Sequence, residues 1–329
     1  MSSQSVGRPI LALSDAGPDV PAALITGVDE IRREVEAGHP IWIDVEDPDP
    51  EQIAQIQSLF PFHPLALEDV YHAMQRPKLE EYDDHIFVVA FGIRLEGGTR
   101  FTPLEVDIFL GRGYLVTFHE EPVAAIHDVN ERCRKGRIPM ERGSDHLLHA
   151  LLDGLVDSYF PLLESFDREM EKLERDLLGS PRSELLAEIF STRRQLLDLR
   201  RFLIPHAEVL SHLAGREYPC VSPPVRAYFR DVYDHLMRIT ESADRYRELL
   251  NTAVETYLGQ AAESTNRVMK ILAAVATLGL PLTVATSFYG MNFEHLPGIH
   301  HPLGVGILSG LLVAVEAFLF VLFRRKGWL

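Results

Sequence analysis

The rhythm of apolar and polar positions changes three times along this chain. Over residues 22–143 short apolar runs alternate with amphipathic ones, and the runs at 40–45, 86–93, 104–110 and 114–118 have the length and composition of strands, which predicts an α/β domain. Asp49-Pro50 has the chemistry of an N-cap followed by proline at the first helical position, opening a predicted helix over 51–59. Over 144–222 the pattern is helical: one helix over 147–178 stops at Gly179, a second is opened by Ser180-Pro181 and runs to about residue 213, and the two form a hairpin. Pro161 kinks the first of them or marks its true start. Residues 1–21 read as a flexible N-terminus.

After a Pro-rich turn over 218–224 comes the longest element. Apolar residues recur at Val225, Phe229, Val232, Leu236, Ile239, Ala243, Tyr246, Leu250, Ala253 and Tyr257, a 3,4 alternation that marks a seam against a neighbouring helix. Only Gly259, Gly279 and Pro281 disturb the helical pattern as far as 293, so a stalk and the apolar run after it are predicted to be one helix over 223–293, about 100 Å long at 1.5 Å per residue. Carried on, the same alternation picks out Asn266, Met269, Ala273, Ala276, Leu280, Thr283 and Ser287. Such a stripe of small, polar and flexible side chains suits close helix packing as well as it suits the wall of a pore.

Two nearly uncharged runs, 271–293 and 302–323, close the chain. Each exceeds the length of about 20 residues that crosses a hydrocarbon core, and two helices joined by a short turn leave no backbone group unsatisfied in lipid. A first transmembrane helix is placed at about 271–291, an external loop at 290–301, a second transmembrane helix at 302–323 and a basic tail at 324–329. Arg267 and Lys270 precede the first span, Arg324, Arg325 and Lys326 follow the second, and the loop has no Lys or Arg, which puts both termini in the cytoplasm. Tyr289 and Trp328 stand where interfacial aromatics are expected.

Charge narrows the function. A net charge of -16 argues against nucleic acid and for cations as partners. Cys133 and Cys220 are the only two cysteines and offer neither a disulfide framework nor a metal-ligand pair. No leader pattern occupies residues 1–19, so the spans themselves direct the chain to a membrane. The acidic stretch 44–49 lacks the glycine of a calcium loop and reads as capping and turn chemistry. Phosphate-loop, nucleophile-elbow and zinc-protease patterns are missing, His119-Glu120 having no second histidine at the required spacing, so the chain does not read as an enzyme.

The run Asn266-Arg-Val-Met-Lys-Ile-Leu272, then Pro281-Leu-Thr283, then Tyr289-Gly-Met-Asn-Phe-Glu294 before a second span and the basic end Arg324-Arg-Lys-Gly-Trp-Leu329, resembles the CorA family of magnesium channels. Leu67-Glu-Asp-Val70 with Gln75-Arg-Pro-Lys78, Leu152-Asp153 with Asp157-Ser-Tyr-Phe160, and Tyr228-Phe-Arg-Asp-Val-Tyr-Asp234 resemble it too, in the same order. The resemblance implies a funnel-shaped homopentamer of the cell (inner) membrane: an α+β membrane protein with a cytosolic α/β domain, stalk helices and a pore lined by the first span of every subunit. Independently, a polar stripe on a two-helix hairpin in lipid calls for several copies around one axis.

The resemblance implies further roles. Gly290, Met291 and Asn292 form the selectivity filter, Asn292 presenting a neutral carbonyl to hydrated Mg²⁺. Met269 and Leu272 make an apolar constriction, and Asn266, Ala276, Leu280, Thr283 and Ser287 complete the pore wall. Glu294 forms an outer acidic ring, although Pro297 is followed by Gly298 where the family often has another acid. Asp69 and Asp231 hold regulatory Mg²⁺ between subunits, with Glu68 and Asp153 as additions. Two features stay outside the pattern: Glu316 within the second span, and His295, His300 and His301 in the loop, which keep open transport of Zn²⁺, Co²⁺ or Ni²⁺ instead of Mg²⁺.

Overall fold

Strand pairing organises the first half of the chain. The computed structural model describes residues 10–14, 22–72, 75–179, 182–291 and 303–328. Strands β1 (Leu11–Ser14), β2 (Ala23–Ile25), β3 (Ile41–Glu46), β4 (Lys78–Glu81), β5 (His85–Gly97), β6 (Arg100–Gly111) and β7 (Tyr114–His119) form one sheet in the order β2-β1-β3-β7-β6-β5-β4. Among the described residues only β3 and β7 pair in parallel. Helices α1 (Val28–Ala37), α2 (Pro50–Gln57) and α3 (Pro64–Tyr71) bury Ile31, Ile53, Ile56, Ala66 and Leu67 against Phe87, Val89, Phe91, Phe109, Val116 and Phe118 of one sheet face. Helices α4 (Ala124–Arg134) and α5 (Ser144–Asp157) follow the sheet in the chain. Gly92 of β5 lets α5 come close, since a Cβ there would lie 2.9 Å from the Leu155 side chain.

The expected strands and the capped helix are present. Asp49 accepts from the Gln52 backbone and Gln52 returns a side-chain bond to Asp49, a reciprocal capping box that gives the acidic stretch its structural use. The expectation of a flexible stretch up to residue 21 is corrected over 11–14. Those residues are β1, with Ala12 and Leu13 each 1% exposed between β2 and β3. Four residues are too few for an alternating pattern to stand out, and only pairing on both sides makes this strand.

The expected single helix over 147–178 is two, α5 and α6 (Phe160–Leu177), and Pro161 stands at the start of the second, where a missing N–H costs nothing. Tyr159 between them is fully buried, and its hydroxyl donates to the Phe91 carbonyl at 2.9 Å. Ser180 and Pro181 lie outside the described residues, and α7 runs Ser183–Gly215 with Pro205 inside it. Helix α8 runs without a break over Pro223–Tyr289, and α9 over Gly304–Arg325. Each seam residue from Val225 to Ala253 is buried. Tyr246 donates to Asp167 of α6 at 2.6 Å, and Arg200 of α7 pairs with Asp244 at 3.4 Å.

The chain divides into two compact units, Met1–Leu178 with Glu184–Thr252, and Gly179–Ser183 with Ala253–Leu329. The boundary therefore falls inside α8. Both Cys133 and Cys220 are free.

Candidate ion path and regulatory carboxylates

In the second unit, α8 and α9 each contain a window long and apolar enough to cross a membrane, with mean hydropathy 1.9 and 2.5, and hardly any of either window is covered by the chain itself. The least exposed positions of the α8 window are Ala274, Leu278, Pro281, Ala285 and Tyr289, one stripe at helical spacing. Met269, Leu272, Ala276, Leu280, Thr283 and Ser287 lie off that stripe and are all exposed, as is Asn266 below them. Thr283 donates its hydroxyl proton to the Gly279 carbonyl at 2.8 Å. Its oxygen is left with acceptor capacity only, which suits the protons of a hydrated cation.

Helix α8 ends tightly. Gly290 N–H donates to the Thr286 carbonyl at 2.9 Å, and a Cβ on Gly290 would sit 3.0 Å from that same oxygen, so only glycine turns here without displacing backbone. Met291 follows, exposed. Asn292, Glu294, His295, His300 and His301 lie outside the described residues. In α9 the Glu316 Oε1 is buried and without a hydrogen-bond partner among the described residues.

In the first unit, Asp69 of α3 is engaged: Lys78 Nζ lies 2.6 Å from its Oδ2 and 2.7 Å from Glu80, which also accepts from the Tyr82 hydroxyl. Burial works to lower the Lys78 pKa, but the hydrogen bonds from Asp69 and Glu80 outweigh it and hold the ammonium above its ordinary value. Glu68 is exposed. Nearby, burial and then the charge of Glu105 push the Asp107 carboxyl well above the usual range.

Asp153 stands elsewhere. Asp153 and Asp157 of α5 and His235 of α8 bring one ligand atom each to within 4.8 Å of one another. Asp231, 68% exposed, lies one turn before His235, its Oδ2 3.8 Å from His235 Nε2. Burial and then the charge of Asp153 raise the Asp157 pKa, as expected of two carboxyls that share a small space. His235 Nδ1 is buried with no hydrogen-bond partner among the described residues. Within one chain the expected regulatory acids are thus split: Asp153 and Asp231 converge on His235, whereas Asp69 is held by Lys78. Asp157 and His235 were not singled out from the sequence: each stands four residues from an expected acid on the same helix, a spacing common to any exposed helix face, and only the fold brings their ligand atoms together.

Residues 37–325 match the family model described as CorA-like Mg²⁺ transporter protein. The chain belongs to that family. It is 33% identical to the putative metal ion transporter YfjQ of Bacillus subtilis over 87% of this chain and 89% of that one. The cobalt/magnesium transport protein CorA of Thermotoga maritima is 32% identical over 92% of this chain and 88% of its own. The solved CorA magnesium transporter of Methanocaldococcus jannaschii superposes with a TM-score of 0.82 at 26% identity, covering 98% of this chain and all of that one. The CorA fold accounts for the α/β domain, the long helix and the two apolar C-terminal helices alike.

Proposed function

We propose that copies of this chain, five by family resemblance, form a channel that admits Mg²⁺ through the cell membrane, with both termini in the cytoplasm. The observation that carries this is the stripe of exposed small and polar residues on α8, offset from the stripe that the chain itself partly covers. Polar groups facing lipid are costly, so the stripe is best satisfied around a shared wet axis. Thr283 offers acceptor oxygens to the water shell of the ion, Met269 and Leu272 form a ring that drains when narrow, and Asn292 selects at the outer end. Mg²⁺ gives up its waters reluctantly, and amide and hydroxyl oxygens leave the shell in place. Entry needs no chemical energy, because a divalent ion gains about 4.6 kcal/mol per 100 mV of inside-negative potential.

Closure is assigned to the cytosolic carboxylates. The donor set Asp153, Asp157 and His235, with Asp231 beside it, fits a divalent ion: two oxygens of negative charge and an imidazole nitrogen. Asp69 fits only if Lys78 yields it, so it would join a site shared with a neighbouring subunit by exchanging partners. The site would supply cross-linking charge that favours one conformation, and ion binding and closure would strengthen each other reciprocally.

Flux into liposomes tests the reading. Asn292→Ala should abolish Mg²⁺ entry and leave assembly intact; undiminished selective flux would remove the filter assignment. Neutralising Asp69 and Asp231 should weaken inhibition by internal Mg²⁺. A second reading, in which a transition metal is carried, is favoured by His235 in the triad, since imidazole suits Co²⁺, Ni²⁺ and Zn²⁺ better than Mg²⁺. Zn²⁺ or Co²⁺ uptake indifferent to excess Mg²⁺ would select it.

A further inference from the structure

In a chain of net charge -16, one cavity gathers positive side chains that lack acidic partners. Arg132 of α4, Arg137 just after it and Arg142 ahead of α5, with His146 and His149 of α5 and Tyr228 of α8, line a space of about 170 Å³. Among the described residues none of these three guanidiniums forms an ion pair, whereas their neighbours Arg134 and Lys135 are both taken by Glu131, at 3.1 and 2.8 Å. The single acid in the lining is Asp153. An adjoining hollow of about 480 Å³ shares Arg132, Arg137 and Asp153 and adds Lys135 with the acids Asp128, Glu131 and Asp157. Arginine wall and metal-ligand triad therefore adjoin at Asp153 and Asp157.

Guanidinium groups present forked donors that match phosphate oxygens, and an imidazole N–H adds a single donor. The space between the three arginines, about 170 Å³, is of a size to take one or two phosphate groups. Asp153 would repel a bare anion. With a cation on Asp153, Asp157 and His235 the repulsion turns to attraction, and Mg²⁺ is commonly held by one or two carboxylates together with phosphates.

We propose that this cavity binds a soluble phosphate-bearing anion on Arg132, Arg137 and Arg142, and does so jointly with a divalent cation on Asp153, Asp157 and His235. The anion half rests on the arginines alone; the joint binding rests on the regulatory metal reading.

The test is calorimetric titration of the full chain in detergent with inorganic pyrophosphate, with and without Mg²⁺. Pyrophosphate should bind without Mg²⁺ and about tenfold more tightly with it, a coupling typical of linked sites. Arg137→Ala with Arg142→Ala should weaken binding about tenfold or more, as loss of charge-assisted hydrogen bonds does. Asp157→Asn should lose the enhancement, while Mg²⁺-free binding persists at equal or higher affinity because one repelling carboxylate is gone. Equal affinity in the double arginine variant overturns the site, as does binding of short-chain phosphatidic acid without any of pyrophosphate. Loss of assembly in that variant, with no pyrophosphate bound by the native chain, overturns it too and gives the arginines to a neighbouring subunit. Enhancement by Mg²⁺ that survives Asp157→Asn removes the joint binding and leaves the anion half standing.

Discussion

The two units differ in what completes them. In the first, the chain covers its own apolar surface: Trp42, Phe87, Phe109, Phe166 and Phe229 are each at most 1% exposed, and Trp42 donates its indole N–H to Thr117. In the second, the apolar windows of α8 and α9 are 6% and 0% buried. Burial drives folding in water, so the first unit specifies itself, whereas the second leaves its apolar windows uncovered by its own chain, as helices that cross a membrane do. Sequence constraints follow this difference: packing rules the body, and accessibility rules the span.

The sharpest break in that comparison would come from the seam. Phe229→Ala should cost the first unit about 3–5 kcal/mol in denaturant unfolding, because a fully buried ring leaves a cavity, while membrane insertion of the purified chain stays unchanged. A next, nearly equal effect lies with His206, fully buried on the same inner side of α7 as Leu203 and Leu210, with neither ring nitrogen hydrogen-bonded among the described residues. Burial lowers its pKa from 6.5 to about 4. The unfolded chain then binds a proton that the folded chain refuses, so this contribution is complete above pH 6.5 and is lost as pH falls from there toward 4, by about 3 kcal/mol. His206→Leu should remove that part of the acid sensitivity, read as the difference between unfolding midpoints at neutral and acid pH.

Smaller effects belong to the span and the surface. Thr283→Val keeps shape but removes the acceptor, and should lower flux about tenfold, near 1.4 kcal/mol of barrier, without moving the unfolding midpoint. A changed midpoint with unchanged flux would reverse the roles given to the two units. Least of all, Asp49→Ala should cost about 1 kcal/mol of stability through loss of the cap, with flux untouched.

What the sequence made legible follows the same division. The continuity of α8 could be read because its 3,4 spacing persists from Val225 to Ser287, and the spans because length and missing charge suffice. β1, β2 and β4 could not, being three or four residues long, too short for an alternating pattern to stand out. Asp69 was read as a ligand, but its bond to Lys78 nine residues on is a matter of side-chain reach that spacing does not show. Asp157 and His235 escaped for a related reason: each sits in a plain helical repeat, and only the meeting of α5 with α8 brings them to one point.

Because α8 runs unbroken from Ala253 to Tyr289 within the second unit, the facing of Thr283 and Ser287 relative to Ala253 is counted in residues. One residue inserted between Ala253 and Asn266 would swing Thr283 and Ser287 about 100° away from their direction, and seven would bring them back to within about 20°. Conduction lost with one added residue and regained with seven would show that this stretch acts as a splined shaft, for which angle matters and length hardly does.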